Sequence, residues 1–402
     1  MSDFAATKAL FHLPKDVIYL DGNSLGPLPI AAAHRMRAAL TDEWGELLIT
    51  GWNKGGRNGE GWMAMPTELG NRIARLVGAE PESIVLGDTL SIKVYQALAS
   101  ALEMRPERKV VLSDSGNFPS DLYMADGLIR SLKAGHELRV VAPEDVLEKI
   151  NEDVAAIMIT EVDYRTGRRH DMKALTKKAH ACGALAIWDL AHSAGALPVQ
   201  LADQGADFAV GCTYKYLNGG PGAPAFIYVA PRHLEHARPA LSGWLGHDAP
   251  FAFDMDYRPA GGIERMRVGT PPILALGVLE TAMDIWDMVE IDDVREKSIA
   301  LCDRFITGVE ATCPDLTLAS PRDAAHRGSQ VSFNFPEGYA AMQALIARGV
   351  IGDFRAPDIM RFGFTPLYID EADVDAAVAI IADVMSNKLW DNAEYRKKSR
   401  VT

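Results

Sequence analysis

The stretch A-L-A-I-W-D-L-A-H-S-A-G, residues 184–195, is the part of the chain from which the fold can best be inferred. It is a short apolar run that ends at Asp189, with His192 three residues further on. A second apolar run, D-F-A-V-G-C at residues 207–212, is followed closely by Lys215. Runs of this kind predict buried strands, and open α/β sheets bind ligands at their strand ends. We therefore expect Asp189 and Lys215 to face one pocket.

An aspartate and a lysine in one pocket suit pyridoxal phosphate. The lysine amine condenses with the aldehyde of this cofactor, and the carboxylate keeps the pyridine nitrogen protonated so that the ring accepts electrons. A surface ion pair is the simpler explanation for a lone Asp and Lys at strand ends. The neighbouring residues favour the cofactor, because His192 can bond its phenolic oxygen, Tyr214 can reach its phosphate, and G-G-P-G-A-P (219–224) permits close backbone approach.

Two further strand ends carry candidate cofactor contacts. The turn D-T-L-S, residues 88–91, opens a helix whose free N–H groups can bind a phosphate at Leu90 and Ser91. Phe118 follows another strand, and its ring could stack on the cofactor ring.

Strand and helix patterns alternate through the middle of the chain. Helical patterns separate most of the apolar runs, which implies a mainly parallel seven-stranded sheet between helices, an α/β fold. The strands are predicted at residues 84–87, 109–114, 138–142, 154–160, 184–188, 207–211 and 225–229.

The order of these patterns predicts three regions. Residues 1–60 are expected to contribute to a small domain and to the active site, and residues 61–290 to form a large cofactor-binding domain. Residues 291–402 are expected to form a small α+β domain. A long helical stretch is predicted from about residue 273 to residue 309.

Charge and composition exclude several classes of protein. The net charge of −13 argues against a nucleic-acid or anionic-membrane partner, because phosphate groups require clustered Lys and Arg. The only basic cluster, R-K-K-S-R at residues 396–400, is interpreted as a solvated tail. No apolar run reaches 18 residues and no signal-peptide core is present, so we expect a cytoplasmic protein with no membrane span. No metal site is predicted. Without Cys-x-x-Cys spacing, reduced thiols are expected at Cys182, Cys212, Cys302 and Cys313.

Seven motifs together resemble the kynureninase family, whose members are fold-type-I pyridoxal-phosphate enzymes, over essentially the whole chain. The motifs are Y-L-D-G-N-S-L-G (19–26), F-P-S-D (118–121), W-D-L-A-H-S-A-G (188–195), T-Y-K-Y-L-N-G-G-P-G (213–222), G-W-L-G-H (243–247), R-V-G-T-P-P-I-L (267–274) and R-F-G-F-T-P-L-Y (361–368). The resemblance implies the transferase fold of type I and a homodimer with active sites at the interface. It also implies hydrolysis of L-kynurenine, and of its 3-hydroxy form, to the anthranilate and L-alanine in tryptophan catabolism.

The same resemblance implies roles for individual residues. Lys215 is the lysine that bonds to the cofactor, Asp189 is the partner of the pyridine nitrogen, and Tyr214 is a candidate proton carrier. Substrate contacts are implied for Ser24 and Arg361. The implied cofactor contacts are Leu90, Ser91, Phe118, Asp121, Thr160, Asp189, His192, Tyr214, Lys215, Trp244 and Thr270, the last at a position where family members carry either Asn or Thr.

Three alternatives stay open at the level of sequence. Arg361 could form a structural ion pair with an internal Asp or Glu. The loop at residues 52–62 differs from the His-containing loop of the family's aryl pocket, so the choice between kynurenine and its 3-hydroxy form is open. The rival functions are another fold-type-I enzyme, a cysteine desulfurase or an aminotransferase, and a regulator that has lost catalysis. A desulfurase needs a cysteine on a mobile loop, whereas Cys302 and Cys313 are predicted within or just after a helix.

Overall fold

The central sheet dominates the fold seen in a computed structural model, which describes residues 2–398. Residues 399 and 400 of the basic cluster lie outside the described residues. The strands are β1 (Phe11–His12), β2 (Ile18–Tyr19), β3 (Leu28–Pro29), β4 (Ile84–Leu86), β5 (Val110–Asp114), β6 (Glu137–Val141), β7 (Val154–Thr160), β8 (Leu185–Asp189), β9 (Phe208–Cys212), β10 (Ala225–Val229), β11 (Thr317–Leu318), β12 (Gln330–Asn334), β13 (Val350–Ile351), β14 (Asp353–Arg355) and β15 (Ile359–Gly363).

Helices lie between most of these strands. They are α1 (Phe4–Lys8), α2 (Ala31–Ala38), α3 (Gly51–Lys54), α4 (Met65–Val77), α5 (Leu90–Glu103), α6 (Pro119–Leu132), α7 (Val146–Lys149), α8 (Met172–Ala181), α9 (Leu201–Gln204), α10 (Ile273–Trp286), α11 (Ile291–Thr312), α12 (Gly338–Ile346) and α13 (Glu371–Ser386). Among the described residues, no helix combines the length and the apolar character needed to cross a membrane.

The central sheet has seven strands in the order β4-β10-β9-β8-β7-β5-β6. Strand β10 runs antiparallel to both of its neighbours, and the other pairings are parallel. The chain reaches β10 from β9 through the loop at residues 213–224, without a crossover helix, and it therefore returns in the opposite direction. The predicted mainly parallel seven-stranded sheet is confirmed.

Both faces of the sheet are buried, which explains the unbroken apolar runs in the sequence. Successive side chains of a strand point to opposite faces, and in β8 Trp188 belongs to one apolar cluster while Ile187 belongs to the other. The whole of β8 is buried, including Asp189 at its end. A carboxylate at this position must therefore find its partner in the protein or in a ligand.

The long helical stretch predicted from about residue 273 to residue 309 is interrupted in the structure. It consists of α10 and α11, which are separated at residues 287–290. Glu290 is extended, with φ −96° and ψ 135°, and it turns the chain into α11. Helix α11 then packs on α13, where Arg304 forms a bidentate ion pair with Asp375 at 2.5 Å. The break thus moves the chain from the central sheet to the second one.

The second sheet is antiparallel, in the order β11-β12-β15-β14. The N-terminal strand β2 pairs in parallel with β13, and the Leu20 carbonyl accepts a 2.7 Å bond from the Gly363 N–H. The segment after β2, residues 21–26, consequently lies against β15. It also contacts the central sheet, because the Gly26 N–H donates to the Tyr214 carbonyl at 2.8 Å. This segment joins the ends of the two sheets at one place.

Candidate active site

A cavity of about 150 Å³ lies where the ends of β7, β8 and β9 meet the second sheet. Parallel strands present their carboxyl ends at one sheet edge, so residues distant in sequence meet there. The sequence-predicted residues that line the cavity are Ser24, Leu90, Phe118, Thr160, Asp189, His192, Tyr214, Lys215 and Arg361. Tyr164 and Arg355, which the sequence did not single out, line it as well.

Asp189 occupies the end of β8 beside the neighbouring strand ends. It is opposite Thr160 of β7 on one side and Val210 of β9 on the other. The Ala191 N–H donates to its Oδ1 at 2.8 Å. Burial raises the pKa of Asp189, and the positive charge of Lys215 acts in the opposite direction. A cationic ligand group next to Asp189 would hold it in the charged form.

Asp121 lies behind Asp189 in the first turn of α6 and does not line the cavity. Burial, and then the charge of Asp189, raise the pKa of Asp121 well above its usual range. Two buried carboxyls in contact share a proton, because both cannot be charged at low cost. Asp121 holds this proton and hydrogen-bonds Asp189, which leaves Asp189 as the carboxylate that faces the cavity.

Lys215 and His192 are in direct contact, with Lys215 Nζ 3.1 Å from His192 Nε2. Burial, followed by the charge of Lys215, lowers the pKa of His192 well below its usual range, so the imidazole is neutral. We assign the proton to Nδ1, because Nε2 accepts from the lysine. His192 Nδ1 is buried without a protein partner. Lys215 Nζ also lies 6.0 Å from the centroid of the Phe118 ring.

Helix α5 begins at Leu90 at the rim of the cavity. Its N-cap, Thr89, makes no side-chain capping bond, so the first N–H groups of a 14-residue helix are available to an anion. Ser91 Oγ lies 3.1 Å from Ser120 Oγ on α6. A neighbouring cavity of about 340 Å³ contains Thr89, Leu90 and Tyr214. These groups could bind an anion, and Leu90 and Tyr214 also line the cavity that contains Lys215.

Arg361 forms the opposite wall of the cavity and is 1% exposed. Its Nε donates to Asp353 Oδ1 at 2.7 Å, and its Nη2 bonds Asp353 Oδ2. Nη2 also donates to Ser24 Oγ at 2.7 Å, and Nη1 donates to the Tyr164 carbonyl. The ion pair that the sequence left open is therefore present, and the same guanidinium lines the cavity.

Trp244 and Thr270 do not line this cavity. Trp244 is 44% exposed and packs edge to face on Phe251, with 5.7 Å between ring centroids. Thr270 lines a separate cavity of about 290 Å³ together with Lys93 and Arg267. Within residues 2–398 of one chain, neither implied cofactor contact thus lines the cavity that contains Lys215.

The residues present fit pyridoxal phosphate. His192 Nδ1 is a buried polar atom with no partner among the described residues, and such an atom in a cavity indicates a ligand-binding site. A carboxylate, a lysine amine and an uncapped helix N-terminus open toward the same space. This fold and this site define a pyridoxal-phosphate enzyme of fold type I.

Comparison with known proteins identifies the family. The chain is 49% identical to a kynureninase of Pseudomonas fluorescens over 99% of this chain and 96% of that protein. It is also 49% identical to a kynureninase of Deinococcus radiodurans, over 95% and 93% of the two chains. The family model of the kynureninase C-terminal domain matches residues 294–381. The chain belongs to the kynureninase family.

Solved structures agree on the fold. A cysteine desulfurase from Thermococcus onnurineus superimposes with a TM-score of 0.79 and 19% identity, over 95% of this chain and 98% of that one. A cysteine desulfurase from Escherichia coli gives 0.79 and 18%, over 96% and 99%. At these identities the likeness concerns the fold alone.

Besides Tyr164, sequence reasoning missed Arg355 and its neighbour Asp353. Both belong to β14, a three-residue strand, and Asp353 is paired with Arg361 across the antiparallel β14–β15 register. Opposite charges on adjacent antiparallel strands would have signalled the pair, but only once β14 was recognised as a strand.

Proposed function

We propose that the chain catalyses hydrolysis of the Cβ–Cγ bond of L-kynurenine, with pyridoxal phosphate as cofactor. One molecule of water is consumed, and anthranilate and L-alanine are released. Membership of the kynureninase family supports L-kynurenine as the substrate. The observation that carries the proposal is that Asp189, His192 and Lys215 line one cavity at the strand ends of the central sheet.

When bound, pyridoxal phosphate supplies an aldehyde for the substrate amine and a pyridinium ring that withdraws electrons from the bonds at Cα. We assign Asp189 to the ring nitrogen, since Asp121 leaves it as the charged member of the pair. His192 Nδ1 would donate to the phenolic oxygen of the cofactor, and Phe118 would hold its ring. We assign the phosphate to the start of α5, at Leu90 and Ser91, with Tyr214 and Thr160 nearby.

Proton transfer is assigned to Lys215 and Tyr214. Lys215 Nζ takes the proton from Cα, and the neutral His192 beside it accepts a hydrogen bond from the amine. Burial and then Cys212 raise the pKa of Tyr214. The phenol therefore keeps its proton at neutral pH and can deliver it to a developing carbanion. Water adds to the γ-carbonyl of the substrate before the bond breaks.

A cysteine desulfurase is the principal rival, because the solved structures with this fold include such enzymes. That activity requires a reactive, accessible thiol. Cys302 and Cys313 are both buried, and burial raises the pKa of each. Neither lines the cavity that contains Lys215. These thiols are poor nucleophiles, which favours the hydrolase.

A homodimer completes the proposal. Trp244 lies in a loop that also exposes Phe251, Phe253 and Met255, which suits an interface with a second copy. In such a dimer Trp244 and Thr270 of each copy would reach the cofactor of the other. Light scattering during gel filtration should give twice the chain mass of 43.7 kDa. A monomer at working concentration would contradict this part of the proposal.

The decisive experiment measures anthranilate fluorescence with the purified, cofactor-loaded protein and L-kynurenine. L-Cysteine, with sulfide detection, serves as the rival substrate. We expect anthranilate release and no sulfide above the background of free pyridoxal phosphate. Sulfide release without anthranilate release would refute the hydrolase activity and favour a cysteine desulfurase. The 3-hydroxy substrate, measured in parallel, gives the aryl preference that the loop at residues 52–62 leaves open.

A further inference from the structure

The guanidinium of Arg361 is almost fully occupied by the protein. A guanidinium has five N–H groups, and four of these bind Asp353 twice, Ser24 and the Tyr164 carbonyl. The edge formed by Nε and Nη2, which fits a carboxylate best, is taken by Asp353. Within the described residues, Arg361 retains one N–H on Nη1. A substrate carboxylate needs a further donor.

Arg355 lies beside Arg361, and it is more exposed and makes fewer contacts with the protein. Its side chain is 32% exposed, and it lines the same cavity as Lys215. Its Nη2 contacts Asp353 Oδ2 at 2.8 Å and Ser24 Oγ at 3.4 Å, a long hydrogen bond, and its Nη1 donates to the Phe354 carbonyl at 3.1 Å. Asp353 and Arg355 are two residues apart on β14, so their side chains share a face of the strand.

The charges at this wall favour an anion. Arg355 and Arg361 carry two positive charges, and Asp353 compensates one of them. Asp21 is the other carboxyl nearby, and burial, followed by the charge of Asp353, raises its pKa to about 7. Near neutral pH Asp21 therefore compensates the second positive charge only in part. His192 is neutral and Asp189 lies at the cofactor end. An amino acid substrate with one carboxylate matches the remaining charge.

We propose that Arg355 is a further substrate-binding residue, which holds the α-carboxylate of the substrate together with the free N–H of Arg361. The inference rests on the proposed function for the identity of the substrate. Arg355 is expected to make the enzyme specific for a free carboxylate, whereas Asp353 and Ser24 keep Arg361 in place. A purely structural Arg355 would instead act only by neutralising Asp353.

The test compares a carboxylate with its amide in two assays. Turnover of L-kynurenine is set against turnover of L-kynurenine amide. Binding of L-alanine is compared with binding of L-alaninamide, and both are measured by the absorbance change of the bound cofactor. Arg355→Gln should lower kcat/KM for L-kynurenine and the affinity for L-alanine by roughly 10- to 100-fold. The same two quantities for the amides should fall by less than about threefold. Arg355→Lys, which keeps the charge, should lie between Arg355→Gln and wild type.

Arg304→Gln is the matched control, because Arg304 also pairs with an aspartate but on the surface of α11. It should leave all four measurements within about twofold of wild type. Equal losses for carboxylate and amide, or no loss, would overturn the role of Arg355. If Arg355→Gln does not fold, the same comparison in Arg355→Lys decides. Wild-type protein that binds L-alanine but does not cleave kynurenine would refute the proposed function and leave the binding assay for Arg355 intact.

Discussion

The two ends of the active-site cavity differ in how their polar groups are satisfied. At the cofactor end, His192 Nδ1 is buried with no partner among the described residues. At the substrate end, Arg361 is held by Asp353, Ser24 and the Tyr164 carbonyl. The first end is built by strand termini of the central sheet, and the second by β14, β15 and the segment after β2.

This difference indicates different relations to ligands. A buried polar atom without a partner costs about 1–3 kcal/mol, so the cofactor end gains when a ligand binds. At the substrate end the guanidinium of Arg361 is already held by four hydrogen bonds to the protein, so its arrangement is fixed before a ligand binds. We expect changes at the cofactor end to abolish chemistry, and changes at the substrate end to affect binding and stability together.

The largest effect is expected for Lys215→Ala. Without the amine the protein loses both its covalent link to the cofactor and the base that removes the α-proton, so kcat should fall by about 10⁴-fold or more. The wild-type protein should be yellow, and borohydride should fix the cofactor on Lys215. Mass spectrometry of the reduced protein checks this. Fixation on a different lysine in Lys215→Ala, with retained turnover, would refute the assignment.

Asp189→Asn should have the next largest effect. An amide cannot hold a positive charge on the ring nitrogen, so turnover should fall by roughly 10²- to 10⁴-fold while the cofactor stays bound. Stopped-flow kinetics and the cofactor content after dialysis measure the two quantities separately. Asp375→Asn, on the surface of α13, is the control. Near-normal turnover in Asp189→Asn would contradict the electron-withdrawing role.

Arg361→Lys tests the substrate end. Lysine has no planar fork of donors, so kcat/KM for kynurenine should fall tens- to a thousandfold in this variant. This corresponds to a loss of about 2–4 kcal/mol of transition-state stabilisation. Because Asp353 is buried and would keep only part of its pairing, the melting temperature should fall as well. Kinetics and calorimetry of one preparation check both. A folded variant with wild-type kcat/KM would make Arg361 purely structural.

The cofactor end was predictable from sequence because the rule that governs it is local. Each buried parallel strand reads as an apolar run, and the residue after the run lies at the common edge of the sheet. Asp189 and Lys215 could therefore be placed together without knowing the strand order, whereas Thr160 was implied only by the family resemblance. The break between α10 and α11 was missed because Val289 is buried and continues the apolar spacing.

The substrate end was less predictable, because it depends on pairing between short segments. Strand β14 has three residues and gives no periodic signal, so Asp353 and Arg355 were overlooked. Their position follows from the antiparallel register with β15. Trp244 and Thr270 illustrate a different limit. Sequence reasoning assigned them to the cofactor, but it could not show that within one chain neither lines the cavity that contains Lys215.

The smallest effect, and the one that best separates the two ends, concerns Asp21. Its Oδ1 is buried without a partner, and burial, then the charge of Asp353, raise its pKa to about 7. A carboxyl whose pKa is raised by folding contributes to the free energy of unfolding, and this contribution is complete below the pKa of the unfolded chain, near 4. This contribution is lost as the pH rises toward 7, because the unfolded chain then gains charge more easily than the folded one.

Asp21→Asn removes this dependence, because the amide stays neutral at every pH. Relative to wild type, its melting temperature should rise by about 1–3 °C between pH 5 and pH 8. Asp375→Asn is the control, since Arg304 lowers the pKa of that exposed carboxyl and places its titration below this range. A difference between Asp21→Asn and wild type that does not change with pH would mean that Asp21 is charged throughout. Asp21 would then compensate Arg355, and the substrate end would carry no excess positive charge for a carboxylate.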